Sequence, residues 1–524
     1  MRKSLVAGIF VAILLAIAPF ALSQIQNVKS TGGQLQGVVA DGVASFKGIP
    51  FAAPPVGDLR WKAPQPEKGW TGVKKADAYA PGCIQDPGMS KMMGSSANVR
   101  EDCLYLNVWT AAKTAGEKLP VMVWIHGGAF VGGMTGTPMF DGTKFAQKGV
   151  VLVSVAYRLG VFGFMAHPEL SRESGKGSGT YGIQDMIASL RWVRNNIAQF
   201  GGDPSRVTIF GESAGGIAVG MLSAAPQAKG LFQRAISESG GSFAPPRIAD
   251  GAGMNVAALK LAESAGESFL KKLGAADIKA ARALPAEQVQ KAAGGGMGGG
   301  SSFWPVADGN VLPGDPYELY EKGRFNDTPI LVGTNSNEGG LFMRGPATLA
   351  SFEKQIRSGY GERADVILKA YPHATDGEAA RASADVFREF AFAWPTWAWA
   401  RMQSQKGKGK AFVYYFDHRT PASPDGANHG AEVSYVFGNF GGPGGGDPNP
   451  EDLALSDLIR SYWINFARTG DPNGSGLPQW PVFTEKDQKV MFFDTAASAR
   501  PIPNLEKLKA YDAYYSWRRE QAKK

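Results

Sequence analysis

One short segment constrains the fold of this chain more than any other, because it joins a strand, a sharp turn and a helix. Val207–Phe210 consists of β-branched and aromatic residues and predicts a buried strand. Gly211-Glu212-Ser213-Ala214-Gly215 follows directly, and an apolar run from Ile217 to Leu222 predicts a helix. In a Gly-x-Ser-x-Gly turn of this kind the serine hydroxyl projects from the carboxyl end of a parallel sheet. Ser213 is therefore a candidate nucleophile, beside a helix start that favours developing negative charge.

The remaining apolar segments predict the sheet to which this turn belongs. Continuous apolar strands that alternate with helices are typical of a mostly parallel sheet covered on both faces, so the fold class is α/β. Two earlier segments, Leu35–Val39 and Val43–Ile49, alternate like short antiparallel strands. The other predicted elements are the strands Leu119–Ile125, Val150–Val155, Ile330–Val332 and Phe412–Tyr415 and the helix Tyr181–Gln199.

Composition narrows the class of protein further. The chain has 524 residues, of which 44% are hydrophobic, so it can form a large core and is neither disordered nor fibrous. Charged residues make up 19% and there are 68 glycines, which indicates a loop-rich globular protein and not a helical bundle. The net charge of +8 is not gathered into basic blocks. Nucleic acid is therefore not expected as a partner.

The first 23 residues have the pattern of a signal peptide. Arg2 and Lys3 precede an apolar run from Leu5 to Leu22, and small residues stand before the predicted cleavage after Ser23. The alternative is a membrane anchor, since the run is nearly long enough to span a bilayer. Pro19 and the polar residues after the run favour cleavage. We expect a secreted or periplasmic protein without a stable membrane anchor, whose residues 24–524 form a single domain.

Export determines how the two cysteines are interpreted. Cys83 and Cys103 are the only cysteines in the chain, and disulfides persist in oxidising compartments. No histidine lies between them, so a tetrahedral zinc site lacks ligands there. The sequence therefore predicts a structural disulfide between Cys83 and Cys103.

A nucleophilic serine needs a histidine base, and the chain has five histidines. His126 begins His126-Gly127-Gly128-Ala129-Phe130 and is interpreted as part of a glycine-rich loop whose backbone N–H groups bind an oxyanion. His167 is expected in a surface turn. The order serine, acid, histidine in α/β-hydrolases leaves His373, His418 and His429. Position alone does not choose among these three.

The acid of such a site should follow another strand of the sheet. Glu338 lies in the loop after the predicted strand Ile330–Val332, where its side chain projects from the carboxyl end of the sheet. A carboxylate there would fix the tautomer of the histidine and stabilise its protonated form.

Ordered motifs along nearly the whole mature chain resemble the type-B carboxylesterase/lipase family, which includes cholinesterases and bacterial para-nitrobenzyl-esterase-like enzymes. The matching segments are Gly48–Ala52, Glu101–Asn107, Tyr157–Gly160, Phe200–Pro204, Gly211–Gly216, Asn337–Gly339, His429–Glu432, Tyr435–Gly438 and Trp480-Pro481.

The resemblance implies the α/β-hydrolase fold, no metal or organic cofactor, and a specific set of site residues. It selects His429 as the base and supports Glu338 as the acid and the Cys83–Cys103 disulfide. The implied site consists of the triad Ser213, Glu338 and His429, the oxyanion-hole amides of Gly128, Ala129 and Ala214, and the supporting residues Glu212 and Ser239. Many family members have glycine where this chain has Ala129, whose methyl group restricts the backbone.

The function implied by the resemblance is hydrolysis of small-molecule carboxylic esters through an acyl-enzyme. A lipase for longer acylglycerols and a specialised esterase for a toxin, drug or plant ester are the alternatives. An adhesion homologue without catalytic residues is disfavoured, because all three triad residues are present. The aromatic residues Phe303-Trp304 and Phe390 to Trp399 belong to the core or line an acyl pocket. The glycine-rich stretches Gly294–Gly300 and Gly441–Gly446 are surface loops or border the site. The sequence leaves the oligomeric state open.

Overall fold

The computed structural model describes residues 24–92, 98–247, 254–294, 303–343, 347–441 and 447–523. The predicted signal peptide lies outside the described residues, as do the two glycine-rich stretches apart from Gly294 and Gly441. Within the described ranges, no helix combines the length and apolar character needed to cross a membrane.

A large twisted sheet organises the molecule. The strands found in the described residues are β1 (Asn27–Ser30), β2 (Gly33–Gln36), β3 (Val38–Ala40), β4 (Val43–Pro50), β5 (Val73–Lys75), β6 (Gly82–Cys83), β7 (Val99–Arg100), β8 (Tyr105–Thr110), β9 (Leu119–Ile125), β10 (Val151–Val155), β11 (Gly202–Glu212), β12 (Arg234–Glu238), β13 (Ala257–Ala258), β14 (Val306–Ala307), β15 (Ile330–Asn335), β16 (Ala411–Phe416), β17 (Lys489–Phe493) and β18 (Ala497–Pro501). Eleven of them form one sheet in the order β18-β17-β16-β15-β12-β11-β9-β10-β8-β4-β3.

The centre of this sheet is parallel and its two edges are antiparallel. Every neighbouring pair from β17 through β16, β15, β12, β11 and β9 to β10 is parallel. The pairs β18-β17, β10-β8, β8-β4 and β4-β3 are antiparallel. The predicted α/β class with a mostly parallel sheet is therefore confirmed.

Helices cover both faces of the sheet. Those of the described residues are α1 (Pro87–Met92), α2 (Thr143–Gln147), α3 (Gly160–Phe164), α4 (Pro168–Ser174), α5 (Tyr181–Asn196), α6 (Ala214–Ala224), α7 (Leu259–Leu273), α8 (Ile278–Arg282), α9 (Ala286–Ala293), α10 (Pro316–Glu321), α11 (Leu349–Tyr360), α12 (Ala364–Ala370), α13 (Asp376–Arg388), α14 (Trp394–Lys406), α15 (Ala431–Phe437), α16 (Pro450–Thr469) and α17 (Leu505–Ala522).

Side chains of β9 point alternately into two cores, one on each face. Val121 and Val123 pack in the core that contains α5 and α6, whereas Met122 and Trp124 pack in the core that contains α15 and α16. Successive strand residues face opposite sides of a sheet, so an unbroken apolar strand requires cover on both sides. This is why the central strands carry no polar face.

The predicted elements agree with the structure in position, with one correction in the N-terminal region. The strand predicted at Leu35–Val39 is divided, because β2 belongs to a small sheet with β1 and β5 while β3 joins the large sheet. Gly37 links β2 in the small sheet to β3 in the large sheet. A Cβ at this residue would lie 2.7 Å from the carbonyl oxygen of Ser45. The break coincides with a change of partner strands, from β1 and β5 for β2 to β4 for β3.

The predicted disulfide is present, and the segment that it closes supports a loop elsewhere in the chain. Cys83 and Cys103 are bonded, with their Cα atoms 4.9 Å apart. Gln85 lies inside the closed segment and is buried. Its side chain donates to the carbonyl oxygen of Gly133 and accepts from the N–H of Gly133, both at 2.9 Å. The disulfide segment therefore holds the end of the glycine-rich loop that follows β9.

We expect the disulfide to contribute to stability by restricting the unfolded chain. A loop of this length contributes about 3 kcal/mol in the chain-entropy estimate. The double variant Cys83→Ala/Cys103→Ala should therefore unfold at a lower temperature than the wild type. A reductant should lower the unfolding temperature of the wild type and leave that of the double variant unchanged. Equal unfolding temperatures for the two proteins without reductant would contradict this expectation.

Candidate active site

Ser213 occupies a strained turn between β11 and α6. Its backbone angles are φ 56° and ψ −124°, in a left-handed region that residues other than glycine rarely adopt. Its N–H donates to the carbonyl oxygen of Glu238 at 2.9 Å, which fixes the turn against β12. The helix can approach the sheet closely here because residue 215 is glycine: a Cβ at Gly215 would lie 2.0 Å from the carbonyl oxygen of Ile125. The turn thus presents the hydroxyl at the carboxyl edge of the sheet.

A continuous chain of hydrogen bonds links Ser213, His429 and Glu338. His429 Nε2 lies 2.9 Å from Ser213 Oγ, and His429 Nδ1 lies 2.6 Å from Glu338 Oε2. Because an ionised carboxylate only accepts hydrogen bonds, the proton of the neutral ring belongs on Nδ1. Nε2 is then free to accept the proton of the serine hydroxyl.

Glu338 is fully buried, and its carboxylate is surrounded by donors. Oε1 accepts from the backbone N–H of Asn335 at 2.7 Å and from Ser239 Oγ at 2.6 Å, while Oε2 faces His429. Sequence reasoning named Ser239 as a supporting residue and missed Asn335. Asn335 could have been identified from its position at the end of β15, three residues before the acid.

The glycine-rich loop after β9 lies against the serine turn. A Cβ on Gly127 would lie 3.0 Å from Ser213 Cβ, so the absence of a side chain lets the two segments meet. The N–H groups of Gly128, Ala129 and Ala214 donate to no acceptor within the part of the chain that the structure describes. Ala129 has a left-handed φ of 53°, a conformation that costs an alanine more than it would cost a glycine. The loop therefore offers unpaired donors at the edge of the serine turn.

The side chains of the other histidines have partners other than Ser213. His126 is buried and stacks on Tyr157 with ring centroids 4.5 Å apart, and burial lowers the pKa of His126 to about 4. His167 was expected in a surface turn, and this is wrong: its ring is buried and accepts from the N–H of Glu169, capping α4. The cap satisfies a free helix-end donor, which a surface turn does not require.

The two histidines left open by position also have other partners. His373 Nδ1 lies 2.5 Å from the carbonyl oxygen of Tyr371. His418 is buried, with Nε2 2.8 Å from Asp452 Oδ1 and Nδ1 2.7 Å from the carbonyl oxygen of Asp494. Of the three histidines, His429 is the one that the fold brings to Ser213.

Buried carboxyl groups surround the imidazole of His429. Glu212 Oε1 lies 3.2 Å from His429 Nε2. Burial alone would lower the pKa of His429, but the carboxylates of Glu212 and Glu338 outweigh burial and raise the pKa to about 9. For the carboxyl groups burial acts in the opposite direction: it raises the pKa of Glu212 to about 7 and that of Glu432 to about 8. The ring thus sits in a negatively polarised environment that favours its protonated form.

Glu432 is the last residue of the motif His429–Glu432, and the sequence alone assigns it no role. Its carboxylate accepts from the side-chain amide of Asn335 and lies 3.4 Å from both Ser239 Oγ and Tyr414 Oη. Asn335 therefore joins two buried carboxyl groups, Glu338 through its backbone and Glu432 through its side chain.

Aromatic rings pack on the imidazole and on the glycine-rich loop. Phe392 stacks on His429, and Phe342 meets the same imidazole at a steeper angle. Trp304 contacts the ring of Phe130 with centroids 5.0 Å apart, beside the glycine-rich loop. Trp399 is a core residue stacked on Phe243. The aromatic segments thus divide between the core and the surroundings of the site.

The arrangement is suited to nucleophilic acyl transfer, in which a serine hydroxyl is deprotonated by a neutral histidine. Unpaired backbone N–H groups beside the serine are the donors that an oxyanion needs. The described residues contain no cluster of histidine, cysteine and carboxylate side chains that could hold a metal ion.

Comparison with known proteins identifies the group to which the chain belongs. The model of the carboxylesterase family matches residues 24–511. A fumonisin B1 esterase of Sphingopyxis macrogoltabida is 37% identical over 496 residues, covering 90% of this chain and 87% of the relative. The para-nitrobenzyl esterase of Bacillus subtilis (strain 168) is 35% identical over 500 residues, covering 92% and 97%.

Solved structures agree with these sequence relatives. A PNB esterase structure superposes with a TM-score of 0.80 at 35% identity, covering 93% of this chain and 99% of that one. A carboxylesterase of Geobacillus stearothermophilus at pH 6.2 also gives a TM-score of 0.80, at 34% identity and with 93% and 100% covered. The chain therefore has the α/β-hydrolase fold, belongs to the carboxylesterase family and is a carboxylic ester hydrolase.

Proposed function

We propose that this chain hydrolyses small-molecule carboxylic esters with Ser213 as nucleophile, His429 as general base and acid, and Glu338 as the group that orients the histidine. The observation that carries the proposal is the 2.9 Å contact between Ser213 Oγ and His429 Nε2. A nucleophile and its base within hydrogen-bond distance, with the base oriented by a third group, is the geometry that acyl transfer requires.

In the proposed mechanism, Ser213 Oγ attacks the ester carbonyl carbon while His429 Nε2 takes the hydroxyl proton. The N–H groups of Gly128, Ala129 and Ala214 donate to the oxyanion of the tetrahedral intermediate. Collapse breaks the bond to the alcohol, which leaves with the proton from His429. A water molecule then attacks the acyl-enzyme by the same steps, releasing the carboxylic acid and regenerating Ser213. Glu338 does not take the proton itself and stabilises the imidazolium.

We propose further that the protein acts outside the cytoplasm after removal of residues 1–23. The charged start, apolar run and small residues before the cleavage position support this location. The Cys83–Cys103 disulfide supports it independently, because disulfides are stable in secreted and periplasmic proteins.

Hydrolysis of para-nitrophenyl esters from acetate to palmitate tests the activity and its acyl-chain range. We expect the highest kcat/KM with short acyl chains, and a loss of roughly 10⁴-fold or more in Ser213→Ala because the nucleophile is removed. Circular dichroism and the unfolding temperature control for folding of the variant. A maximum at long chains with activation at a lipid interface would identify a lipase instead. Near-normal activity of Ser213→Ala would contradict the assigned nucleophile.

The pH dependence of kcat/KM tests the base. His429 must be neutral to accept the serine proton, so activity should rise as pH increases through its pKa. A histidine of ordinary pKa predicts a rise between roughly pH 6 and 7. Because Glu212 and Glu338 raise the pKa of His429 above the ordinary 6.5, we expect the midpoint above that value.

Glu212→Gln should move this midpoint to lower pH, because it removes one negative charge beside the ring. Glu287→Gln, at an exposed position on α9, is the matched control and should leave the midpoint unchanged. A flat profile, or equal midpoints in all three proteins, would contradict the proposed electrostatics.

Ser239→Ala tests the support of the acid. The variant removes one of the two donors on Glu338 Oε1, so the carboxylate should hold the imidazole less firmly. We expect kcat to fall by roughly tenfold, as hydrogen bonds to charged groups are worth about 1.5–3 kcal/mol, with little change in KM. Stopped assays at saturating and limiting ester separate the two constants. Unchanged kcat would show that Asn335 alone is sufficient.

A further inference from the structure

The helix that packs over His429 contains one irregular turn. α13 and α14 form a continuous helical segment joined by the π-helical turn Glu389–Ala393, in which the N–H of Trp394 donates to the carbonyl oxygen of Glu389. This bond spans five residues, one more than in an α-helix, so the residues of the turn are rotated relative to a regular helix. π turns inside α-helices occur frequently at functional sites. Phe392 lies in this turn.

Buried polar contacts fix the turn at its N-terminal end. Arg388 donates to the carbonyl oxygen of Ser336 at 2.7 Å, and its Nε lies 3.0 Å from Glu389 Oε1. Tyr371 Oη donates to Glu389 Oε2 at 3.2 Å. Ser336 belongs to the loop that also carries Glu338. The π turn and the acid are therefore held in one rigid unit.

α13 also packs directly on the turn of the acid. A Cβ at Gly339 would lie 2.2 Å from the carbonyl oxygen of Ala384, so this approach requires glycine after Glu338. Any displacement of the helix would move the acid as well. The position of Phe392 relative to Glu338 is consequently set by backbone contacts on both sides.

The result of this placement is a flat aromatic surface against the imidazole. The ring of Phe392 is fully buried and lies parallel to His429, with centroids 4.5 Å apart and an interplanar angle of 19°. Phe342 contacts the same imidazole at 5.2 Å and 60°, an edge contact that constrains the ring less. A parallel neighbour at this distance blocks tilting of the imidazole out of its plane.

We propose that Phe392 is a positioning residue for the histidine base: its ring holds the imidazole in the plane where Nδ1 reaches Glu338 and Nε2 reaches Ser213, and its π face stabilises the imidazolium formed during acyl transfer. This inference rests on the proposed function. The negative face of an aromatic ring attracts a cation placed over it, and more strongly when both are shielded from water. The same contact therefore orients the neutral base and favours its protonated form.

The charged groups around His429 do not change when Phe392 is replaced. Glu212 and Glu338 face the ring nitrogens directly, and Glu432 acts on the ring from α15. Ser213, the remaining neighbour of Nε2, is neutral. A change in the pH profile of a Phe392 variant would therefore report the aromatic contact itself.

Phe392→Leu tests the proposal, because leucine keeps apolar bulk and removes the aromatic face. We expect kcat for para-nitrophenyl acetate to fall roughly tenfold with KM within about twofold, since fewer bound complexes have the base correctly oriented. The acidic limb of kcat/KM should move to lower pH by roughly half a unit, because the imidazolium loses its π neighbour. Phe392→Tyr keeps the aromatic face and should restore the pH profile.

Phe387→Leu is the matched control. Phe387 lies 6.1 Å from Phe392 and stacks on Phe342, and among the ring contacts of the described residues none joins it directly to His429. This variant should keep the wild-type pH profile and kcat. Unfolding temperatures establish that each variant is folded, and Phe392→Met replaces Phe392→Leu if the latter does not fold.

Three results would overturn the proposal. These are a wild-type kcat and pH profile in Phe392→Leu, an equal pH shift in Phe387→Leu, or a changed acyl-chain preference without a pH shift. The last would make Phe392 a specificity residue. The Ser213→Ala variant distinguishes failure of the Phe392 proposal from failure of the proposed function. If the proposed function is wrong, Ser213→Ala remains active, independently of the kcat and pH profiles of the Phe392 variants.

Discussion

Parallel pairing of neighbouring strands is the constraint on which the rest of the site depends. β9, β11, β15 and β16 run in the same direction, so their carboxyl ends meet at one edge of the sheet. The loops that leave this edge carry the unpaired amides, Ser213, Glu338 and His429. The glycine-rich loop, Ser213 and Glu338 closely follow β9, β11 and β15, whereas the longer loop from β16 to His429 is held by the side chain of Asn335, which donates to the carbonyl oxygen of Asn428. The hydrogen bond between Ser213 and His429 therefore joins residues 216 positions apart in the chain.

The buried glutamates around the histidine differ in their hydrogen-bond partners and in their pKa shifts, so similar side chains can have different roles. Glu212, Glu338 and Glu432 all act on one imidazole, and Glu238 interacts with Glu212 and Glu432, yet the partners of the four carboxyl groups differ. Burial, with Glu432 adding to it, raises the pKa of Glu238 well above its usual range, and Trp463 is the donor on one of its oxygens. Glu338 instead accepts from a backbone amide, a hydroxyl and the imidazole. Burial therefore favours the protonated form of Glu238.

Features encoded by neighbouring residues could be predicted from the sequence, and features that depend on distant contacts could not. The strand Leu119–Ile125 matches β9, because a continuous apolar run needs no knowledge of its neighbours. The turn around Ser213 was recognisable from its own glycines. By contrast, the choice among His373, His418 and His429 depends on which loop reaches β11. The break at Gly37 depends on contact with β4, and the π turn places Phe392 by helix packing that no local pattern records.

The distance in sequence between Ser213 and His429 also has a consequence for the timing of synthesis. At typical translation rates of about 5–20 residues per second, the 216 residues between them take roughly 10–40 s to make. Throughout that interval the serine turn has been synthesised without its base. Under the proposed mechanism the nascent chain does not hydrolyse esters during this interval, because Ser213 has no base. In that mechanism the onset of hydrolysis waits until the loop that follows β16 has been made.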